Sequence, residues 1–336
     1  MARRAPDLMS GLVTLGEALV AFVANESGAL ADAITFRSHV VGAELNAAIG
    51  AARLGTPAAF IGRVGDDGFG TAILRRLRAE GVDTSQVTVE PGAPTGILIR
   101  ERRVLGPPEV NYYRRDSAGS HLGPTDVDAA APLIESAQWL HLSGITPALS
   151  ESAGRALRRA IEVARSLPPG RQPVISLDLN LRRKLWSDAE ASLVLRSLVP
   201  AVDVVFSGID EAQTVIGPPG CVGADPVAIG RALVGLGARE AIVKRGPQGA
   251  LYFSAESGVI DRVGLRLEQV VDPVGAGDGF CAGYIAARLE GLDIDAALGW
   301  AVACGAAVAA ADGDTAGFPT RGELRRLLLD GPDTVR

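Results

Sequence analysis

Nine residues near the C-terminal end combine an anion cradle with a base. Asp272-Pro273-Val274-Gly275-Ala276-Gly277-Asp278-Gly279-Phe280 runs directly into the Ala-rich stretch Cys281 to Leu289, whose spacing predicts a helix. Glycines just before a helix let backbone N–H groups converge on one anion, and the helix N-terminus adds a favourable dipole. That arrangement suits a phosphoryl group in flight, with Gly275, Ala276 and Gly277 as the candidate cradle. A carboxylate at the same helix start is badly placed to hold an anion. It is well placed to take the proton from a hydroxyl attacking that phosphoryl group, which makes Asp278 the candidate base. The rival reading of the same residues is a Gly-rich turn with Asp278 as an ordinary N-cap.

Other nucleotide motifs are missing. The chain has only two lysines, Lys184 and Lys244, and neither sits in GxxxxGK[ST], so a P-loop is excluded. There is no GxGxxG after a strand and no protein-kinase HRD or DFG set. His39, His121 and His141 lack metal-ligand spacing. Cys221, Cys281 and Cys304 have no paired spacing and read as reduced thiols.

The elements that must hold these residues follow from periodicity. Leu12 to Leu15 reads as a short apolar strand, followed by a polar stretch and then a second strand around Ile34, Phe36 and Ser38. Asn46 to Leu54 has helical spacing and stops at Gly55, a natural C-cap residue. Ala58 to Val64 reads as a strand, Phe69 to Glu80 as a helix, and Gly81 as its stop. Thr95 to Arg103 and Val110 to Arg115 are strand-like runs around Gly106-Pro107-Pro108, the pattern of a hairpin. From Trp139 onward strands and helices alternate: strands near Leu140, at Val174 to Leu177, Val202 to Phe206 and Ala241 to Lys244, with helices Glu151 to Ser166, Asp188 to Leu198 and Asp225 to Leu236. Such alternation implies βαβ units and a mostly parallel, doubly wound α/β sheet with helices on both faces. The early hairpin falls outside that rhythm and is expected to form a small separate sheet over one end of the main one.

The bulk properties agree. In 336 residues, 47% hydrophobic and 21% charged, a sizeable core can be buried, and a net charge of -6 argues against nucleic-acid binding. Arg75, Arg76 and Arg78 read as a solvated helix face. The longest apolar run, Ala296 to Ala311, is too short for a bilayer and is broken by Gly299 and Gly305, so it predicts a buried helix and no membrane partner. Met1 to Ser10 lacks the apolar core of a signal peptide, and the expected location is cytoplasmic.

Asp272 to Phe280 resembles the C-terminal DTxGAGD signature of the ribokinase-like (PfkB) carbohydrate kinases. Gly42-Ala43-Glu44-Leu45-Asn46-Ala47-Ala48, with Arg53-Leu54-Gly55 and Ile61 to Gly70, resembles the N-terminal signature, roughly 230 residues earlier. The resemblance implies one kinase domain over residues 10–330, with a β-sheet lid from about 17–40 and 94–116. It also implies ATP with Mg²⁺ as phosphoryl donor. Lys244-Arg245-Gly246-Pro247-Gln248-Gly249 resembles the nucleotide-binding strand and loop, which assigns Lys244, Gly246 and Gly249 to the nucleotide. Glu211 resembles the glutamate of an NxxE motif near magnesium, although Gly208 stands at the motif's first position. A surface helix glutamate is its rival reading.

Within the family the chain looks most like the branch acting on 2-keto-3-deoxy sugar acids. The carriers are Gly42 to Asn46, Tyr112-Tyr113-Arg114 with Ser117-Ala118, His141 to Ile145, and Asp178-Leu179-Asn180-Leu181-Arg182 with Leu185-Trp186. Asn180 joins the nucleotide set. Gly42, Asn46, Tyr112, Arg114 and Arg182 form the expected substrate set. On a strand, Tyr112 and Arg114 point to one face and Tyr113 to the other. A guanidinium is a planar fork for a carboxylate, whereas a neutral sugar would leave two buried arginines without a charged partner. The stretch Gly16 to Ala21 ends in alanine, where many neutral-sugar kinases of the family carry an aspartate. Val41 and Leu98 depart from the family pattern beside the pocket. The expected acceptor is the terminal C6 hydroxyl of a sugar acid. The alternatives are a neutral-sugar or nucleoside kinase, or a sensor without turnover. Homo-oligomerisation through the lid is the expected assembly.

Overall fold

The computed structural model describes residues 11–102, 109–217 and 223–329. Its strands are β1 (Leu12–Leu15), β2 (Leu19–Ser27), β3 (Phe36–Val41), β4 (Ala58–Gly65), β5 (Val87–Glu90), β6 (Ile97–Arg102), β7 (Val110–Tyr113), β8 (Trp139–Ser143), β9 (Val174–Asp178), β10 (Val204–Gly208), β11 (Glu240–Lys244), β12 (Ala250–Ser254) and β13 (Gly258–Arg262). Nine of them form one sheet in the order β13-β12-β11-β10-β9-β8-β1-β4-β5. It is parallel from β5 to β11, and β12 and β13 continue it antiparallel at one edge.

Strand residues alternate between two cores, as a pleat with period two requires. Val13 and Leu15 pack into one core with the helix Glu151–Arg165, while Leu12 packs into the other with the helices Ala43–Arg53 and Ala276–Leu289. Val205 and Val243 likewise face the first core, and Phe206 and Ile242 the second. Helices therefore cover both faces, the doubly wound architecture that the alternation of elements implies. The apolar run at 296–311 is the helix Ile294–Ala309, and no helix among the described residues is long and apolar enough to cross a membrane.

Strand order reverses around β1, whose neighbours are β4 and β8. In open α/β sheets, ligands sit beyond the carboxyl ends of the strands at such a reversal. Asp178 ends β9, Gly208 ends β10 and Lys244 ends β11, all at that rim.

The second sheet has four strands in the order β3-β2-β6-β7. The expected hairpin is its β6–β7 pair, with Leu98 opposite Tyr112; Gly106-Pro107-Pro108 lie outside the described residues, as does Cys221. One expectation needs correction. The stretch after Leu15, read as polar, holds the nine-residue strand β2, because Leu19 and Ala21 alternate into an apolar patch with Val41 while Val20 joins the main core. The β12–β13 pair at the far edge was not anticipated from the sequence either; its outer strand is half exposed and carries a weak pattern.

Candidate active site

Two cavities meet at the start of the helix Ala276–Leu289. The first, about 430 Å³, lies between the second sheet and the strand rim. Charged and polar side chains gather in it, Glu17, Asn46, Tyr112, Arg114 and Arg182 with Asp178, Glu211, Lys244 and Asp278, beside Gly42 and an apolar patch of Leu19, Ala21, Val41 and Leu98. The second, about 420 Å³, is mostly apolar, walled by Gly246, Pro247, Gly249, Leu265, Phe280, Val302 and Ala306. Lys244, Pro273 and Gly277 belong to both. A polyol-sized polar space and an apolar slot, joined at a glycine-rich helix start, provide for a polar acceptor, a planar base and a phosphate chain between them.

Gly275 caps the helix with φ 82°, and a Cβ there would stand 2.6 Å from the carbonyl oxygen of Asp314. Only glycine lets the chain turn into the helix this close to the neighbouring loop. Ala276 N bonds Pro273 O at 3.3 Å, so of the expected cradle residues Gly277 contributes the amide that opens between the two cavities. The Lys244 ammonium stands 3.4 Å from where a Gly277 side chain would begin.

Asp278 sits in the first turn of that helix and keeps part of its surface open to the first cavity. Burial pushes its carboxyl up to about 7; a hydrogen bond from Asn46 opposes that shift, Asp178 and Asp314 add to it and Arg182 opposes it. A carboxyl poised near neutral pH in this way is chemically able to accept a proton. Asn46 Nδ2 donates to Asp278 Oδ2 at 2.8 Å. Asn46 Oδ1 is buried without a partner in the protein, a polar atom left for a ligand.

Lys244 Nζ donates to both oxygens of Asp178, at 2.7 and 2.8 Å. Burial works against the ammonium, but the charge of Asp178, its hydrogen bonds and the charge of Glu211 outweigh that and hold it protonated. Gly42 is bound to be glycine: its φ is 153° and a Cβ would lie 2.3 Å from Glu17 O. Tyr112 and Arg114 share one face as expected, with the guanidinium 5.2 Å above the Tyr112 ring, while Tyr113 is exposed.

Other expectations change. Arg114 is not an unpartnered charge, because its guanidinium pairs with buried Glu17, which Ser117 also contacts at 3.2 Å. Arg182 is exposed rather than buried. The argument that a neutral sugar would strand two buried arginines therefore fails for both. What remains for an acid is Arg182 at the rim and Arg114 Nε, which is buried without a partner in the protein. Asn180, assigned to the nucleotide, lines the first cavity and not the second. Its left-handed φ of 39° turns the chain there after β9.

Glu211 lies at the start of the helix Ile209–Ile216, where its oxygens accept from Gly208 N at 2.7 Å and Leu181 N at 3.2 Å. Among the described residues no group of three or more metal-ligating side chains gathers. Magnesium needs no such cage, since it keeps several waters and takes one or two carboxylates plus substrate phosphates. Glu211, facing the same cavity as Asp178 and Asp278, is an oxygen donor of that kind.

Some site residues were not singled out from the sequence. Asp178 and Asp272 lie inside quoted motifs, but nothing local marks what they hold. Glu17 and Arg100 have no sequence signal, because their partners are 97 and 172 residues away. Glu44, buried in the cavity wall, accepts from Thr146 Oγ1 at 2.5 Å; burial pushes it up to about 8, with Thr146 opposing and Asp278 and Glu17 adding.

The profile of the pfkB family carbohydrate kinases matches residues 9–321. The chain is 39% identical over 326 residues to the 2-dehydro-3-deoxygluconokinase of Thermoproteus tenax, covering 96% of this chain and 95% of that one. It is 37% identical over 320 residues to the 2-dehydro-3-deoxygluconokinase of Bacillus subtilis strain 168, covering 94% of each. The crystal structure of a putative ribokinase II from E. coli, in complex with ATP and Mg²⁺, superposes with a TM-score of 0.84 at 28% identity, covering 96% of this chain and 99% of that one.

Proposed function

The chain belongs to the pfkB family of carbohydrate kinases, and from that premise we propose that it transfers the γ-phosphoryl group of ATP to the terminal C6 hydroxyl of 2-keto-3-deoxygluconate, the 2-dehydro-3-deoxygluconate of its relatives' names. The observation that carries this reading is the meeting of a polar and an apolar cavity at Gly277, with Asp278 on the polar side.

The sugar acid lies in the first cavity. Gly42, Asn46, Tyr112 and Arg114 hold its hydroxyls and keto-acid end, with Arg182 at the rim offering charge to the carboxylate. ATP lies with its base in the second cavity and its phosphates over Gly246, Gly249 and Lys244. Asp278 accepts the hydroxyl proton as the sugar oxygen bonds to the γ-phosphorus; the bond from that phosphorus to the bridging oxygen breaks and ADP leaves. The Gly277 amide, set by the turn at Gly275 and Ala276, faces the charge that develops on the transferring group. Magnesium, when bound near Glu211, neutralises phosphate charge. Closing the second sheet as a lid keeps water from competing as acceptor.

Pairing of two copies along the outer strands of the second sheet is the assembly we favour, since β3 and β7 present unpaired edges. A cytoplasmic enzyme is consistent with these features.

The test is ADP release by purified protein with Mg-ATP and, in turn, 2-keto-3-deoxygluconate, its galactonate epimer, fructose, ribose and adenosine. Preference for the keto acids supports the reading. Preference for a neutral sugar or nucleoside removes the acid pocket, and ADP release with none of them removes the kinase.

A further inference from the structure

Arg100 stands on β6, in the second sheet, and is 7% exposed. Its guanidinium makes a two-pronged pair with Asp272, one prong at 3.0 Å, and the aspartate is 8% exposed. Asp272 is the residue from which the glycine loop departs. Its Oδ1 also accepts from Val274 N at 3.1 Å, and its backbone is tied to Ala309 O. The side chain that shapes the loop into Gly275 is thus gripped from the sheet opposite.

A second contact reinforces the grip. Gly275 packs against the backbone of Asp314, and Arg100 also faces that residue's charge. From β3, Arg37 reaches Asp312 at 2.8 Å on the same loop. Both loops bordering the helix start are therefore held by cations of the four-stranded sheet. The outer pair is exposed and worth little. The Arg100–Asp272 pair is shielded and directional, so it dominates.

We infer that Arg100 is a positioning residue that makes the seating of the second sheet over the first cavity and the alignment of the Gly275–Asp278 segment one event. Arg100 touches neither reacting atom in this scheme. It acts through Asp272, so phosphoryl transfer is aligned only when the sheet is down. The inference rests on the kinase reading above.

The experiment compares full-length wild type with Arg100→Gln, Asp272→Asn and the double variant. Three quantities are read: kcat and KM for each substrate, the ratio of ADP to sugar phosphate, and hydrogen exchange of amides 274–279 with and without 2-keto-3-deoxygluconate. Misalignment by about 1 Å costs on the order of 100-fold, so Arg100→Gln should lose about that factor in kcat with little change in KM for ATP. ADP should exceed sugar phosphate, and saturating sugar should no longer protect the loop amides. The double variant removes the unpaired buried charge; it should recover melting temperature without recovering kcat or protection, which a merely structural pair would not do. If Arg100→Gln does not fold, the double variant decides on the same readouts. Wild-type kcat, coupling and protection in either folded variant overturns the inference. A wild type that phosphorylates no sugar sinks the kinase reading instead, and ATP-induced protection of the loop, lost or kept in the variants, still decides the role of Arg100.

Discussion

Asn46 and Asp278 are separated by 232 residues, yet Asn46 Nδ2 lies 2.8 Å from Asp278 Oδ2. That bond joins the two family signatures into one site and favours the ionised form of the carboxyl that burial works to neutralise.

Asp278→Asn should leave the fold intact and reduce kcat by roughly three orders of magnitude or more, because general-base catalysis is worth about 10²–10⁴-fold. Steady-state ADP release beside a thermal melt checks this; near-normal turnover would sink the assignment.

The acid limb of kcat/KM should report Asp278. Only the ionised base works, so the rate should fall about tenfold per pH unit below about 7, the level to which burial raises the group. Asn46→Ala removes a bond that lowers this value, so the limb should move to higher pH. A limb that stays put, or moves down, contradicts the pairing.

Arg114→Ala should both raise KM for the sugar acid and destabilise the fold, by about 3–5 kcal/mol, because Glu17 would be left buried and unpaired. Adding Glu17→Gln to that variant should restore most of the stability and none of the affinity. Denaturant melts and KM measured on all three proteins separate the two effects.

Glu44 ties stability to pH. Its folded pKa of about 8 stands above the ordinary 4.5, so the folded protein binds this proton more tightly than the unfolded chain. The stabilisation is complete below 4.5 and is lost as pH rises through about 8. Asp278 and Asp314 act in the same direction at lower pH, so the informative comparison is with Glu44→Gln. Between about pH 6 and 9 the wild type should lose on the order of 2–4 kcal/mol more than that variant. Parallel stability curves would show that Glu44 is not protonated.

Ala306→Phe should fill the apolar cavity and raise KM for ATP by about tenfold or more, leaving KM for the sugar within about threefold, since one aromatic side chain displaces contact worth roughly 1–3 kcal/mol. Isothermal titration with each substrate alone checks the asymmetry.

The central strands of the main sheet, β1, β4 and β8 to β11, were legible because they are short, apolar and punctuated by helices with clear stops, such as Gly55 and Gly81. The strand Leu19–Ser27 was not, because its alternation is read by two different surfaces: Leu19 and Ala21 face the cavity patch, and Val20 the main core. Asp278 and Gly277 were singled out from their types and local order, Lys244 from the family resemblance, and the fold brings all three to one cavity. The cavity that Asn180 lines was not legible, because its backbone conformation, not its residue type, decides it.

By itself the sequence determined the doubly wound layout, the glycine-rich helix start and the identity of the candidate base, since each depends on residues adjacent in the chain. Only the tertiary structure decided the charge balance of the site. Arg114 is neutralised by Glu17, Lys244 by Asp178 and Arg100 by Asp272, while Arg182 is left open. The reason is physical: ionic partners are chosen by proximity in a low-dielectric interior, and proximity between residues many tens of positions apart is created by folding, not by spacing along the chain.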